Sequence, residues 1–483
     1  MRTVLSLVLL VCSVMNCSAQ ASRQNNRQML KDAAIKNIDR EYERLQEIAL
    51  DIWRFAEVGY KEKQSAALLS ATLKENGFSV ESDVAGMPTA FVATFGTGKP
   101  VIGLLAEYDA LPGLSQEAIP ERKPVPGQSA GHGCGHHLFG TASVAAAIEL
   151  KKLIEAKKLS GTIKVFGTPA EEGGSGKVYM VRAGLFDNLD AVLHWHPGDR
   201  NEVTMSSALA NKSAKFRFYG VAAHAAMAPD QGRSALDAVE AMNYMTNMMR
   251  EHMPSDMRLH YIITEGGKAP NVIPDFAEVY YYVRHPKRDQ TAAAFERIVN
   301  AAKGAALGTE TRMDYEIIGG THDMLINKTL ASVMYENLKR IGGVAYDQKD
   351  IEFATQIQST LQNSGALVES AGSIMPLRTE VSVWPASTDV GDVSYVAPTV
   401  GLYAATWVPG TPAHSWQAVA CGATPIGMKG MIVAAKTMAL TGIDLLSDPA
   451  VIKKAKDELM ESVGDYQYQP LLGDRKPALN YRD

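Results

Sequence analysis

The sequence predicts a doubly wound, mostly parallel α/β domain interrupted by a ferredoxin-like α+β module. Three observations carry that prediction. At 483 residues the chain is longer than one compact core organises. Apolar runs alternate with helical patterns up to about residue 200 and resume after Asn327. Between them the order changes to β-α-β-β-α-β over about 115 residues, the signature of an inserted split βαβ unit.

In chain order, Leu30 to Asn76 reads as helical, with Ile38, Tyr42, Leu45 and Leu50 near helical spacing. Short apolar strands follow at Ala90–Phe95, Val101–Ala106, Gly161–Phe166 and Ala191–Trp195, with an alanine-rich helix from Leu138 to Lys157 among them. From Asn201 the pattern shifts. Ser213–Gly220 alternates as a half-exposed strand, and Ser234 with Asp237 reads as a capping box. It opens a helix with Ala238, Met242, Met245 and Met249 on one face, a methionine stripe read as core or subunit contact. Strands at Arg258–Thr264 and Ala277–Arg284, a helix at Thr291–Ala305 and a strand at Arg312–Ile318 complete the module. Helix-plus-strand patterns then return and end in Lys429–Thr441, while the tail from Gly464 has no periodicity.

Composition narrows the class. Apolar residues make up 46% and charged residues 21%, the balance of an ordinary globular protein. A net charge of −5, from 48 basic and 53 acidic side chains, gives no electrostatic reason to expect nucleic acid. Arg2, the apolar run Val4–Met15 and Cys17-Ser18-Ala19 have the three sections of a secretory signal, so residues 1–19 are expected to be removed on export. Lipidation at Cys17 is the weaker alternative, because Asn16 occupies the place of the small residue usually needed before it. The apolar run is too short to span a bilayer, and no other stretch reads as a span. Cleavage leaves Cys134 and Cys421, too few for a disulfide framework. Cys421 reads as a small buried residue.

Chemistry concentrates in four segments. Gly131-His132-Gly133-Cys134-Gly135-His136-His137 places a thiol and imidazoles in a glycine-rich loop. Cys134 and His136, one residue apart on extended backbone, would point the same way, a spacing suited to a metal ion. Pro169-Ala170-Glu171-Glu172-Gly173-Gly174 supplies paired carboxylates. Adjacent side chains on extended backbone diverge, so one carboxylate is expected to ligate and the other to act as general base. A solvated acidic turn is the bland reading, and the flanking proline and glycines weigh against it. The apolar strand from Asp190 ends in His194-Trp195-His196-Pro197, where either histidine could ligate. His414, on a proline-bounded loop, is the fourth candidate.

These segments resemble the amidohydrolase branch of the co-catalytic metallopeptidases, which includes auxin-conjugate hydrolases, aminoacylases and folate-cleaving glutamate carboxypeptidases. Seven ordered pieces carry the resemblance: Ala106–Pro112, His132–His136, Pro169–Gly174, the strand ending His196-Pro197, Gly220–Pro229, Asn271–Pro274 and the His414-Ser415 loop. It implies two divalent ions, manganese or zinc, held by Cys134, His136, Glu172, His196 and His414. Glu171 would be the general base and Asp109 a supporting carboxylate. His224 would reach a neighbouring subunit's site and stabilise developing negative charge, and Asn271 and Arg284 would bind substrate. His137 departs from the pattern, since many relatives carry aspartate there.

The implied division is a signal peptide over 1–19, a catalytic metal-binding domain over 20–203 and 322–483, and a lid and dimerisation domain over 204–321. The implied reaction is hydrolysis of an N-acyl, aminobenzoyl-glutamate-like amide that releases a carboxylate-bearing amino acid. General N-acyl-amino-acid deacylation or dipeptide cleavage is the alternative within the enzyme class. A non-catalytic partner subunit of a paralogous hydrolase is the alternative outside it, disfavoured because the base and ligands are all present. A homodimer or heterodimer formed through the lid, no stable membrane insertion and no nucleic-acid partner complete the expectations.

Overall fold

The computed structural model describes residues 24–362 and 365–483; the expected export signal lies outside them. Helices α1 (Tyr42–Phe55) and α2 (Lys63–Glu75) lead into strands β1 (Ser79–Ser82), β2 (Phe91–Thr97) and β3 (Val101–Ala106). Next come α3 (His136–Glu155), β4 (Gly161–Gly167), α4 (Gly176–Arg182), β5 (Ala191–Gly198) and β6 (Glu202–Val203). The module follows as β7 (Ala210–Tyr219), α5 (Ala235–Met249), β8 (Arg258–Glu265), β9 (Phe276–His285), α6 (Arg288–Gly308) and β10 (Arg312–Thr321). The chain closes with α7 (Lys328–Ile341), α8 (Gln348–Ser359), α9 (Val390–Ser394), β11 (Thr399–Ala405), α10 (Trp416–Gly422), α11 (Pro425–Ser447) and α12 (Pro449–Val463).

The main sheet has the order β1-β2-β4-β3-β5-β11-β6. Its four central strands run parallel, and both edges are antiparallel. The antiparallel β2 departs from the expected parallel sheet for a simple reason. Only Gly98, Lys99 and Pro100 separate it from β3, and a parallel crossover needs a dozen residues or more. Those residues step across the start of β4 instead. Helices cover both faces, and one core runs from Leu45 and Ile52 through Leu104, Phe166 and Trp195 to Met438.

Helix α11 is long and apolar enough to cross a bilayer, contrary to the expectation of no such stretch. Its apolar window is 83% buried within the molecule, however, so it is the central core helix.

The second sheet is fully antiparallel, in the order β8-β9-β7-β10. With α5 and α6 this is the ferredoxin-like arrangement, and it has its own core around Phe216, Met242, Tyr281 and Phe295. Ser234 caps α5 by accepting from the Asp237 backbone N–H at 3.0 Å, without the return bond of a full capping box. Met242 is buried in this core and Met245 and Met249 pack against it, so the stripe is structural.

Candidate metal centre

Because the four central strands are parallel, their carboxyl ends open on one edge of the sheet, and the candidate donors gather there. β3 runs into Glu107 and Asp109, β4 into the Pro169–Gly174 turn, β5 carries His196 near its end, and the segment after β11 leads to His414. Cys134 and His136 come from the start of α3. The expected extended loop there is replaced by a tighter device: Gly135 takes φ 77°, which favours glycine, and His136 opens the helix. His414, itself at φ 58°, locks onto this loop by donating its backbone N–H to Gly133 O at 2.9 Å.

Three donor triads result, and two of them share Cys134. Cys134, His136 and His196 bring one ligand atom each within 4.8 Å of one another, and so do Cys134, Glu172 and His414. Cys134 belongs to both, with its Sγ 3.4 Å from His196 Nε2. His414 Nε2 lies 3.2 Å from Glu172 Oε1. The supporting hydrogen bonds leave the inward atoms free. His136 Nδ1 bonds Asp109 Oδ1 at 2.8 Å, and His196 Nδ1 donates to the Pro197 carbonyl at 2.7 Å. Asp109 also accepts from the Glu172 backbone N–H at 2.9 Å, so one carboxylate orients parts of both triads. His136 Nε2 and Glu172 Oε1 are buried and make no well-aligned hydrogen bond, although Glu107 Oε2 lies 3.1 Å from the first and His414 Nε2 3.2 Å from the second; donor atoms crowded this way suit a shared cation. Burial, with His136 nearby, pushes His196 down to about 3, so it is neutral and able to ligate.

Glu171 and Glu172 separate as expected, by a different route. The strand ends at Gly167, and the two residues sit in a turn rather than on extended backbone. Glu171 groups with Glu107 and His136 instead of with His414. Burial raises its carboxyl well above the usual range, and Glu172 and Glu107 add to the effect. Below it, Lys177 is fully buried and reaches both Glu107 and Asp389 at 2.7 Å.

Glu107 is the residue that sequence reasoning passed over. Its Oε2 lies 3.1 Å from His136 Nε2, buried and without a hydrogen-bond partner. The signal was its place two residues before Asp109 on extended chain, which puts both carboxylates on one side.

The other histidines resolve cleanly. His194 lies over Gly401 and joins no triad among the described residues. His137 is buried with its Nε2 3.0 Å from the Gly422 carbonyl and its ring against His132, on the helix packing side. Cys421 is a buried free thiol, pushed up to about 12 by burial.

The centre opens into a cavity of about 770 Å³, lined by Cys134, Glu171, Glu172, His196 and His414 and walled by Trp384, Tyr403 and Trp407. His224, Asn271 and Arg284 are not among its lining residues in this chain. His224 is exposed and bridges to Val272, and Ala225 N–H donates to Asn271 O at 3.0 Å, so His224 and Asn271 form one tip of the module. Arg284 pairs opposite Asn211 at the other end of β9, where both connections to the main domain leave.

Comparison with known proteins agrees with this geometry. Residues 103–418 match the family model "Peptidase family M20/M25/M40". The chain is 42% identical over 447 residues to a p-aminobenzoyl-glutamate hydrolase subunit of Escherichia coli (strain K12), covering 87% of this chain and 93% of that one. It is 30% identical to the Xaa-Arg dipeptidase of Mus musculus, over 89% of this chain and 92% of that one. Among solved structures, a dinuclear metal-binding peptidase of the M20 family from Bacillus subtilis superposes with a TM-score of 0.59 at 17% identity, over 84% of this chain and 99% of that one. An aminobenzoyl-glutamate utilization protein from Klebsiella pneumoniae gives 0.59 at 18% identity, over 85% and 97%. With matched segments that contain every donor of the two triads, the chain belongs to the M20/M25/M40 peptidase family and is a hydrolytic enzyme.

Proposed function

We propose that this protein is a dinuclear metalloamidase that cleaves an N-acyl, aminobenzoyl-glutamate-like amide and releases the carboxylate-bearing amino acid. The observation that carries the reading is the pair of donor triads sharing Cys134, with Glu171 beside them and outside the Glu172–His414 triad. Cys134, His136 and His196 would hold one ion, and Cys134, Glu172 and His414 the other. Zinc or manganese suits this sulfur, nitrogen and oxygen set. When bound, such ions polarise a carbonyl and acidify water. Glu171 takes the proton that water loses and returns it to the departing amine, a task suited to a carboxyl raised by burial.

Strand length supports a site shared between two protomers. From Phe276 to Arg284 the backbone spans about 26 Å, at ~3.3 Å per residue, so Arg284 and Asn271 of one chain cannot grip the same small substrate. On this reading, Arg284 of one protomer and His224 and Asn271 of its neighbour would complete one site. Arg284 pairs with the substrate carboxylate through its planar fork, and His224 faces the developing oxyanion.

An exposed face of the module supports such a pairing. β8 is an unpaired sheet edge exposing Ile262 (62%) and Ile263 (45%), and α5 beside it exposes Tyr244 (69%) and Met248 (50%). The second protomer is another copy of this chain or a paralogue. The paralogue reading rests on similarity to two different subunits of the Escherichia coli p-aminobenzoyl-glutamate hydrolase, the second of them at 28% identity over 317 residues. The signal-like composition of residues 1–19 supports export.

The test is hydrolysis of N-acyl and N-aroyl glutamates, aspartates and neutral amino acids by metal-reconstituted protein. Preference for acidic leaving groups is expected; preference for neutral ones removes Arg284 from its assigned task.

A further inference from the structure

The Pro169–Gly174 turn holds non-glycine residues in the left-handed region, with Ala170 at φ 57° and Ser175 just beyond at φ 59°. Such backbone persists only where its surroundings over-determine it. Three anchors come from the amino-terminal part of the chain. Glu62 accepts from Ala170 N–H at 2.8 Å, Asp109 accepts from Glu172 N–H at 2.9 Å, and Tyr60 donates its hydroxyl to the Gly174 carbonyl at 2.7 Å.

The fourth anchor comes from the last residues of the chain. The Glu172 carbonyl accepts from Tyr481 Oη at 2.9 Å and from Arg482 Nη2 at 2.5 Å. The Tyr481 ring stands edge-on to Tyr60 at 5.6 Å, and Asp483 pairs with Lys61 at 2.6 Å. Ten residues earlier the same tail is fastened to the inserted module. Leu471 and Leu472 pack so closely on Gly320 that a Cβ there would meet the Leu471 carbonyl carbon at 2.9 Å, and Arg475 donates to the Ile318 carbonyl. Arg182 holds the segment between by donating to the Gly473 and Arg475 carbonyls at 2.9 and 2.7 Å.

We propose that residues 471–483 form a strap that ties the last strand of the module to the metal-binding turn, and that Tyr481 and Arg482 are positioning residues for Glu172. The inference rests on the dinuclear reading, because Glu172 matters here as a donor of the second triad. Two donors on one carbonyl fix the peptide plane after Glu172, and with it the direction in which its side chain leaves the backbone.

The experiment compares full-length wild type with Tyr481→Phe/Arg482→Met and with Arg482→Lys. Zinc affinity is measured by chelator competition, and melting of the metal-free proteins is followed in parallel. The double variant should bind one of its two ions about tenfold more weakly, hold the other unchanged and melt with the metal-free wild type, while Arg482→Lys recovers much of the loss. Superimposable competition curves overturn the strap. So does parallel weakening of both ions with a lower metal-free melting temperature, which marks a merely structural tail. A wild type that binds no pair of ions overturns the dinuclear reading and the strap together.

Discussion

Cys134 meets three demands at once: it is buried, it belongs to both donor triads, and the glycines around it let His414 lock its backbone onto the same loop. That convergence was legible in the sequence as residue types in glycine-bounded segments, although the geometry behind it was not. Cys134 and His136 converge through a left-handed glycine and a helix start, and Glu171 and Glu172 diverge in a turn. Glu107 stayed hidden because a carboxylate two residues from another has no motif of its own, and its meaning appears only when His136 arrives from 29 positions away. The sharpest residue-scale test is Glu171→Gln. It should lower turnover by about 10²–10⁴-fold while metal content by elemental analysis stays full, because Glu171 belongs to neither of the two triads that share Cys134. Normal rates in that variant would remove Glu171 from the role of base.

At the scale of elements, the site depends on four parallel strands ending at one level, and Asp190 helps set that level. Its carboxylate accepts from Val101 N–H at 2.7 Å and pairs with Lys456, so it stitches the starts of β3 and β5 to α12. Burial pushes the Asp190 carboxyl up, but the bonds from Lys456 and Val101 outweigh it and hold it below its ordinary value. A depressed carboxylate contributes stability that is present above the unfolded value, near pH 4, and lost as pH falls through the folded value. Asp190→Asn should therefore cost about 1–3 kcal/mol at pH 7, measured by denaturant unfolding, and the gap should close as pH drops below about 4. A gap that persists at acid pH would assign the loss to packing. Strand positions were readable here because apolar alternation reports burial. Strand direction was not, since β2 reads like its parallel neighbours and only its three-residue link to β3 reverses it.

For the whole molecule, the inserted module was legible because six elements in βαββαβ order admit few alternatives, whereas the tail was opaque because it lacks periodicity and its partners lie far away in sequence. If His224 acts in a neighbouring site, His224→Ala and Glu171→Gln proteins, each inactive alone, should regain activity when dissociated and mixed. Random pairing leaves one intact site in half of the dimers, so turnover should reach about a quarter of wild type. No recovery in dimers shown to have exchanged would place His224 in its own chain's site or outside catalysis.

Whether two triads sharing one sulfur hold a pair of ions is read out by anomalous diffraction from zinc-loaded crystals. Two peaks per chain are expected on either side of Cys134 Sγ, one against His136 and His196 and the other against Glu172 and His414. A single peak, or two peaks that leave Cys134 or His414 outside bonding distance, would contradict it.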